Sequence, residues 1–175
     1  MNIEAVLMVW ARTKLMIWDY LFEPVKQIKI TYAGKEPGKL YKKINELIRT
    51  TINVPDAYIQ ERDYSWEKLK DAEKFEVGWD VNKLFDLFSY IYIEIDLRGS
   101  SANGEGRAVI TIRPRLITEY PQDTIWQQSI VYEMLRRTWH RIFYQQKRIE
   151  YLNTGKELLI NFENALKRSA EQLRE

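Results

Sequence analysis

The chain has no cysteine among its 175 residues, and its only histidine is His140. The absence of cysteine excludes disulfide bonds, thiolate nucleophiles, cysteine-ligated zinc and iron–sulfur clusters. It also fits a reducing compartment, so we expect a cytoplasmic protein. One histidine cannot build a multi-histidine metal site, and we therefore expect neither a metal nor another cofactor.

Long apolar runs and familiar catalytic motifs are missing as well. In the N-terminal region the longest uncharged run extends from Ala5 to Ala11, which is too short for a membrane-spanning helix or a signal-peptide core. The chain has no G-x-S-x-G elbow, phosphate-binding loop or G-x-G-x-x-G sequence. We expect no membrane span, and the missing motifs favour a non-catalytic protein over an enzyme.

What the chain does contain is typical of one folded domain. Apolar residues make up 45% and charged residues 30% of the sequence, and its aromatic residues include 6 Trp and 11 Tyr. No linker-like stretch or internal repeat interrupts residues 1–175, so we predict a single domain. Residues 1–22 are apolar and aromatic with interspersed charges, which predicts an N-terminal helix or a docking arm.

Apolar periodicity predicts the order of the elements. Alternation with a period of two predicts strands near residues 25–32, 57–66, 75–81, 90–98 and 107–116. One helical stripe is formed by Leu40, Ile44, Leu47, Ile48 and Ile52. A second helix is expected over 123–152 with Asp123 as its N-cap, and a break at 153–157 is expected to precede a last helix.

These elements predict an α+β fold. An antiparallel sheet of about five strands would pack against a mid-chain helix and long C-terminal helices. The element order resembles the helix-grip arrangement, which implies a curved antiparallel sheet that wraps a long C-terminal helix. Such a fold does not by itself indicate a function.

The hairpin in the middle of the chain has two contrasting faces. The predicted buried face consists of Ile91, Ile93, Ile95, Ala108, Ile110 and Ile112. The opposite face is a secondary candidate site and consists of Tyr90, Tyr92, Glu94, Asp96, Arg113 and Arg115. We favour cross-strand ion pairs on this face, while carboxylate-pair catalysis and base stacking stay open. Pro114 predicts an edge or a bulge at its position.

The helix over 123–152 is the most informative stretch of the sequence. At 100° per residue, the predicted core stripe is Val131, Leu135, Trp139, Ile142 and Ile149. The opposite side predicts a basic-aromatic face that consists of Trp126, Arg137, His140, Arg141, Tyr144, Arg148 and Tyr151. Arg136 and Lys147 flank this face, and no acidic residue lies between Arg136 and Arg148.

Three interpretations of the basic-aromatic face compete. It is a solvated face whose counter-charges lie elsewhere in the fold, a surface for nucleic acid or another anionic partner, or a protein–protein surface. A functional face predicts that Arg137, Arg141 and Arg148 lack nearby carboxylates. We expect a non-catalytic binding module whose partner is a protein or an anionic polymer such as RNA. A small-ligand binder or enzyme with a cavity between sheet and helix is a further alternative.

Overall fold

Alternating apolar residues build an antiparallel sheet in the computed structural model, which describes residues 16–122 and 124–174. The strands are β1 (Met16–Tyr20), β2 (Ile28–Lys35), β3 (Ile59–Leu69), β4 (Ala72–Leu84), β5 (Ser89–Ala102) and β6 (Glu105–Glu119). The helices are α1 (Lys39–Leu47), α2 (Ile130–Trp139) and α3 (Gln145–Gln172). The predicted α+β class is thus confirmed, with six strands, a short helix and a long C-terminal helix.

The sheet runs in the order β1, β6, β5, β4, β3, and β2 also pairs with β6. β1 pairs with residues 115–119 of β6 and β2 pairs with residues 105–112, so the two short strands follow one another along one edge. Pro114 lies in the gap between them, and its carbonyl accepts a hydrogen bond from the Leu21 amide at 3.3 Å. The missing N–H of Pro114 therefore costs the sheet no ladder hydrogen bond on that side.

One face of the sheet forms the core together with α1 and the second half of α3. All six apolar hairpin residues predicted to be buried are at most 1% exposed, which confirms the alternation. The predicted mid-chain helical stripe is also confirmed, because Leu40 and Ile44 of α1 and Ile48 and Ile52 of the π-helical turn that follows it are fully buried. From α3, Leu159, Phe162 and Leu166 pack into the same core.

The predicted break between two C-terminal helices is wrong. α2, a π-helical turn at His140–Tyr144 and α3 follow one another with helical backbone, and we call residues 130–172 the long helix. Gly155 is buried inside it, and a Cβ at this position would lie 2.5 Å from Cδ1 of Ile91 and 3.0 Å from Cδ2 of Leu21. Glycine thus marks the closest approach of the helix to the sheet rather than a helix end.

The expectations for the N-terminal region and the helix start have mixed outcomes. A helix over all of 1–22 is wrong, because Met16–Tyr20 forms β1, while residues 1–15 lie outside the described residues. Asp123 also lies outside them, and α2 instead begins after Ser129, whose hydroxyl accepts a hydrogen bond from the Tyr132 amide at 3.2 Å. Within the described part of the chain, no helix is long and apolar enough to cross a membrane.

Candidate functional site

The predicted orientation of the first half of the long helix is wrong. Leu135, Trp139 and Ile142 were expected in the core, but they are 58%, 52% and 64% exposed. Tyr144 and Arg148 were expected on the outside, but they are 5% and 4% exposed. The helix therefore turns Tyr144 and Arg148 toward the sheet and Leu135, Trp139 and Ile142 outward.

The physical reason is that the sheet is polar where this half of the helix crosses it. The Tyr144 hydroxyl donates to the two carboxylate oxygens of Asp86 at 2.9 and 2.8 Å and lies 2.8 Å from the Ser89 hydroxyl. The hydroxyls of Ser89 and Thr118 lie 2.7 Å apart, and both side chains are fully buried. An apolar helix face would remove the Tyr144 hydroxyl from Asp86 and Ser89, and a buried polar group that loses its partner costs about 1–3 kcal/mol.

Asp86 is the centre of this polar cluster. Its carboxylate also accepts hydrogen bonds from the amides of Phe88 and Ser89, each at 2.8 Å, and from the Tyr151 hydroxyl at 3.0 Å. Burial by itself would raise the pKa of Asp86, but these hydrogen bonds outweigh burial and the pKa is lowered. Asp86 thus stays ionised with its oxygens occupied, which suits an anchor for the helix better than a proton carrier.

Arg148 ties the long helix to the first strand. Its Nη2 lies 2.7 Å from the Asp19 carboxylate, and the same nitrogen lies 3.4 Å from the carbonyl oxygen of Leu116. Burial lowers the pKa of Arg148, and the charge of Asp19 acts in the opposite direction. Arg148 is therefore an internal ion-pair partner, contrary to the expectation that it lacks a carboxylate.

His140 and Arg136 continue the inward side toward the start of the helix. Nδ1 of His140 lies 2.7 Å from the Tyr120 hydroxyl, and burial, with the Arg148 charge, lowers the pKa of His140. Arg136 is 4% exposed, pairs with Glu133 at 2.5 Å and lies over the rings of Tyr120 and Tyr132. Tyr120 is buried as well, and its desolvation raises its pKa to about 12.

The remaining members of the predicted face are scattered. Tyr151 stacks on Phe85 at 4.6 Å, whereas Trp126 lies in a short 3₁₀ turn and is exposed. Arg137 is exposed and pairs with Glu133 at 3.1 Å, so the expected absence of a carboxylate is wrong here too. Arg141 is exposed and forms no ion pair with any described residue. The structure thus does not bring the seven residues together on one surface.

The π-helical turn explains how four inward residues spaced by four stay in line. Arg136, His140, Tyr144 and Arg148 would each rotate about 40° past the previous one in a regular α-helix, because four residues exceed one turn of 3.6. A π turn has more residues per turn and takes up this drift. The turn at His140–Tyr144 lies in the middle of the series and keeps it aligned with the sheet.

The outward side of the same stretch is the surface that the sequence interpretation missed. We call it the outer face, and it consists of Met134, Leu135, Trp139, Ile142 and Phe143. All five are between 52% and 66% exposed, and the rings of Trp139 and Phe143 are in contact at 5.0 Å between centroids. Soluble proteins rarely expose so many neighbouring large apolar side chains unless a partner covers them. The sequence signal that could have indicated this orientation is the spacing of Arg136, His140, Tyr144 and Arg148, which places a polar or aromatic residue at every fourth position on the opposite side.

The secondary candidate face of the hairpin is an ion-pair network. Arg113 pairs with Glu94 at 3.2 Å and with Asp96, while Arg115 pairs with Glu94 at 2.9 Å. The Arg115 guanidinium lies over the Tyr92 ring at 5.1 Å. The favoured interpretation of cross-strand ion pairs agrees with these contacts, which leave Glu94 and Asp96 neutralised by arginine. Among residues 16–122 and 124–174, no group of three or more acidic or histidine side chains could hold a metal ion.

Comparison with known proteins gives no family for this chain. No family model and no curated protein matches it. Among solved structures, it is similar to SA2116, a protein of unknown function from Staphylococcus aureus, with 9% identity over 91% of this chain and 96% of that chain. The TM-score of 0.32 is too low for this likeness to support an argument about function.

Proposed function

We propose that this chain is a non-catalytic interaction module that binds a protein partner through the outer face of its long helix. The single observation that carries the proposal is the exposure of Met134, Leu135, Trp139, Ile142 and Phe143 on one side of one helix. Aromatic residues and methionine are enriched at the centres of protein interfaces. A cytoplasmic location remains part of the proposal, because a chain without cysteine needs no oxidising compartment.

The outer face cannot be hidden by a rotation of the helix. Tyr144 is held by Asp86 and Ser89, and Arg148 is held by Asp19, on the opposite side. Rotation would break these hydrogen bonds and leave buried polar groups unpaired, which costs about 1–3 kcal/mol for each group. The apolar side is therefore presented to the surroundings by the same contacts that anchor the polar side.

Charge indicates what kind of protein surface fits. Arg137 and Arg141 are exposed beside the outer face, and of the two only Arg137 has a carboxylate partner among the described residues. The sequence contains no acidic residue between Arg136 and Arg148. A partner with an apolar groove rimmed by acidic side chains would match this surface, whereas a second copy of the chain would bring like charges together.

The two alternatives from the sequence have less structural support. RNA binding through the basic-aromatic face would need Tyr144 and Arg148 at the surface, and both are buried. A ligand cavity between sheet and helix would need space where Leu159, Phe162 and Leu166 pack against the sheet. Both alternatives stay predictions.

The test uses the full chain with a photo-crosslinking phenylalanine analogue at position 143. The matched control carries the same analogue at position 87. Leu87 is 95% exposed and lies in the turn between β4 and β5, which contacts the inward side of the long helix through Asp86 and is not part of the outer face. We expect a specific protein adduct from position 143 and none from position 87. The purified partner should then bind Trp139→Ser/Phe143→Ser at least tenfold more weakly, and Leu87→Ser unchanged, because central aromatic contacts dominate interface energies.

Four other crosslinking results would contradict the proposal. Equal adducts from both positions would show that the outer face is not a specific surface. An adduct with a second copy would show a homo-oligomer, and an adduct with residues 1–15 of the same chain would show a face covered internally. An adduct with RNA would favour the nucleic-acid alternative.

A further inference from the structure

A second surface, separate from the outer face, is a cleft between the start of α1 and the hairpin of β3 and β4. Its volume is about 620 Å³, and Tyr41, Tyr64 and Trp66 line it together with Lys42, Lys68 and Lys70. Gly38 lies at its wall, where a Cβ would come within 2.5 Å of the Glu73 carboxylate and 3.0 Å of the Trp66 ring. The close contact of helix start and hairpin thus shapes the cleft.

A β-bulge directs the aromatic side chains into this cleft. The pairing of β3 with β4 shifts between Arg62 and Ser65, and Asp63 has a positive φ of 51°. Arg62 lies with Asp80 and Asp96 on the side of the sheet that faces away from the core, whereas Trp66 contacts the buried Phe75 on the core side. Positions 62 and 66 would share one face in a regular strand. The extra residue therefore turns Tyr64 and Trp66 toward α1.

The rings form a column with one open end. Phe75 and Trp66 stack at 4.9 Å and 21°, and Trp66 and Tyr64 stack at 6.1 Å and 22°. Tyr41 meets Tyr64 and Trp66 edge-on, and its hydroxyl donates to Glu61 at 2.9 Å, which fixes the arrangement. Tyr64 ends the column and is 57% exposed. One more flat ring on the exposed Tyr64 would extend the stack.

The charged side chains that line the cleft have a positive excess of one. Lys42, Lys68 and Lys70 have no carboxylate within ion-pair distance among the described residues, while Lys39 pairs with Glu36 at 2.5 Å. The four lysines of the lining exceed its three carboxylates, those of Glu36, Asp71 and Glu73. Flexible lysine side chains suit phosphate groups, which they contact as point charges.

We infer that this cleft binds a nucleotide unit, with the base stacked on Tyr64 and the phosphate near Lys42 and Lys68. The unit is either a free nucleotide or one residue of a single strand, since stacking on an aromatic side chain with lysines nearby suits both. The inference does not rest on the proposed protein partner, because the two surfaces share no residue.

The experiment measures binding of two probes to the full chain: uridine monophosphate and a fluorescein-labelled oligouridine of twelve nucleotides. Tyr64→Ala should weaken binding of the probe that occupies the site by about tenfold. Tyr58→Ala is the matched control, because Tyr58 is 39% exposed and lies in the 3₁₀ turn just before β3, outside the cleft. If the oligonucleotide is the ligand, Lys42→Gln should flatten its log–log salt dependence by about 0.7 for one lost phosphate contact.

Saturable binding of only the monophosphate would identify a free nucleotide as the ligand, and tighter binding of the oligonucleotide would identify a single strand. No saturable binding of either probe at low salt would overturn the inference. Equal losses for Tyr64→Ala and Tyr58→Ala would overturn it as well. Trp139→Ser/Phe143→Ser should bind both probes as the unchanged chain does, and a loss in that variant would move nucleic-acid binding to the long helix.

Discussion

At the scale of single residues, Ile93 and Glu94 are neighbours in β5 with opposite surroundings. Ile93 is fully buried, and Glu94 pairs with Arg113 and Arg115 on the other face. Ile93→Ala should lower the free energy of unfolding by about 2–5 kcal/mol, because it leaves a cavity in the core. Glu94→Ala should cost less than about 1 kcal/mol, because partly exposed ion pairs contribute little. Denaturant titration of both variants measures the difference, and equal losses would contradict the assigned faces.

His140 is the residue whose titration should be visible in the stability of the protein. Burial, assisted by the Arg148 charge, lowers its pKa below the ordinary value of 6.5. The unfolded chain therefore takes up a proton at this histidine more readily than the folded chain, and acid favours unfolding. The stabilising contribution is present above pH 6.5 and should be lost as the pH falls through 6.5 toward the lowered pKa.

The measurement is the free energy of unfolding at a series of values from about pH 7.5 to about pH 5.5. It should fall toward acid in the unchanged chain and fall less in His140→Gln. Because the chain has no other histidine, the difference between the two curves belongs to His140. Parallel curves for the two proteins would show that the His140 pKa is not lowered on folding.

At the scale of elements, strands were predictable and helix orientation was not. The alternation in β5 and β6 assigns each side chain to a face, and a register slip of one residue would reverse every assignment. The periodicity of an amphipathic helix predicts only that the helix has a polar and an apolar side. Which side faces the sheet depends on Asp86, Ser89 and Thr118, which lie far away in the sequence. The π turn that aligns His140 and Tyr144 shows in the sequence only as polar residues at every fourth position from Arg136 to Arg148.

Gly155 gives the clearest test of how the long helix meets the sheet. Replacement of glycine by alanine inside a helix ordinarily stabilises it by about 0.5–1 kcal/mol. Here the new methyl group would lie 2.5 Å from Cδ1 of Ile91 and 3.0 Å from Cδ2 of Leu21, and both side chains are almost completely buried. Overpacking of this kind costs about 1–3 kcal/mol, so Gly155→Ala should destabilise the protein.

Asn153→Ala is the matched control, since Asn153 is exposed in the same helix. This variant should be neutral or slightly stabilising, because alanine has the higher helix propensity. Thermal or denaturant unfolding compares the two. A stabilising effect of Gly155→Ala would mean that the helix lies farther from β5 than the structure has it.

At the scale of the whole molecule, the long helix has two opposite sides with different surroundings. On the inward side, Tyr144 donates a hydrogen bond to Asp86 and Arg148 donates one to Asp19, and these contacts anchor the helix. The outward side leaves Trp139 and Phe143 in contact with solvent. The sequence predicted that this helix carries the candidate site. It placed the site on the basic-aromatic side, where Tyr144 and Arg148 are buried, because aromatic and cationic residues are common both at interfaces and in buried polar clusters.

The most direct test of the central claim is hydroxyl-radical footprinting of the full chain, with the modified residues located by mass spectrometry. Met134, Trp139 and Phe143 should be modified strongly and Tyr144 weakly, because the first three are at least 52% exposed and Tyr144 is 5% exposed. Solvent-exposed Tyr64 provides the reference for an accessible tyrosine. Strong modification of Tyr144 together with protection of Trp139 and Phe143 would contradict the orientation of the helix and the interaction surface that depends on it.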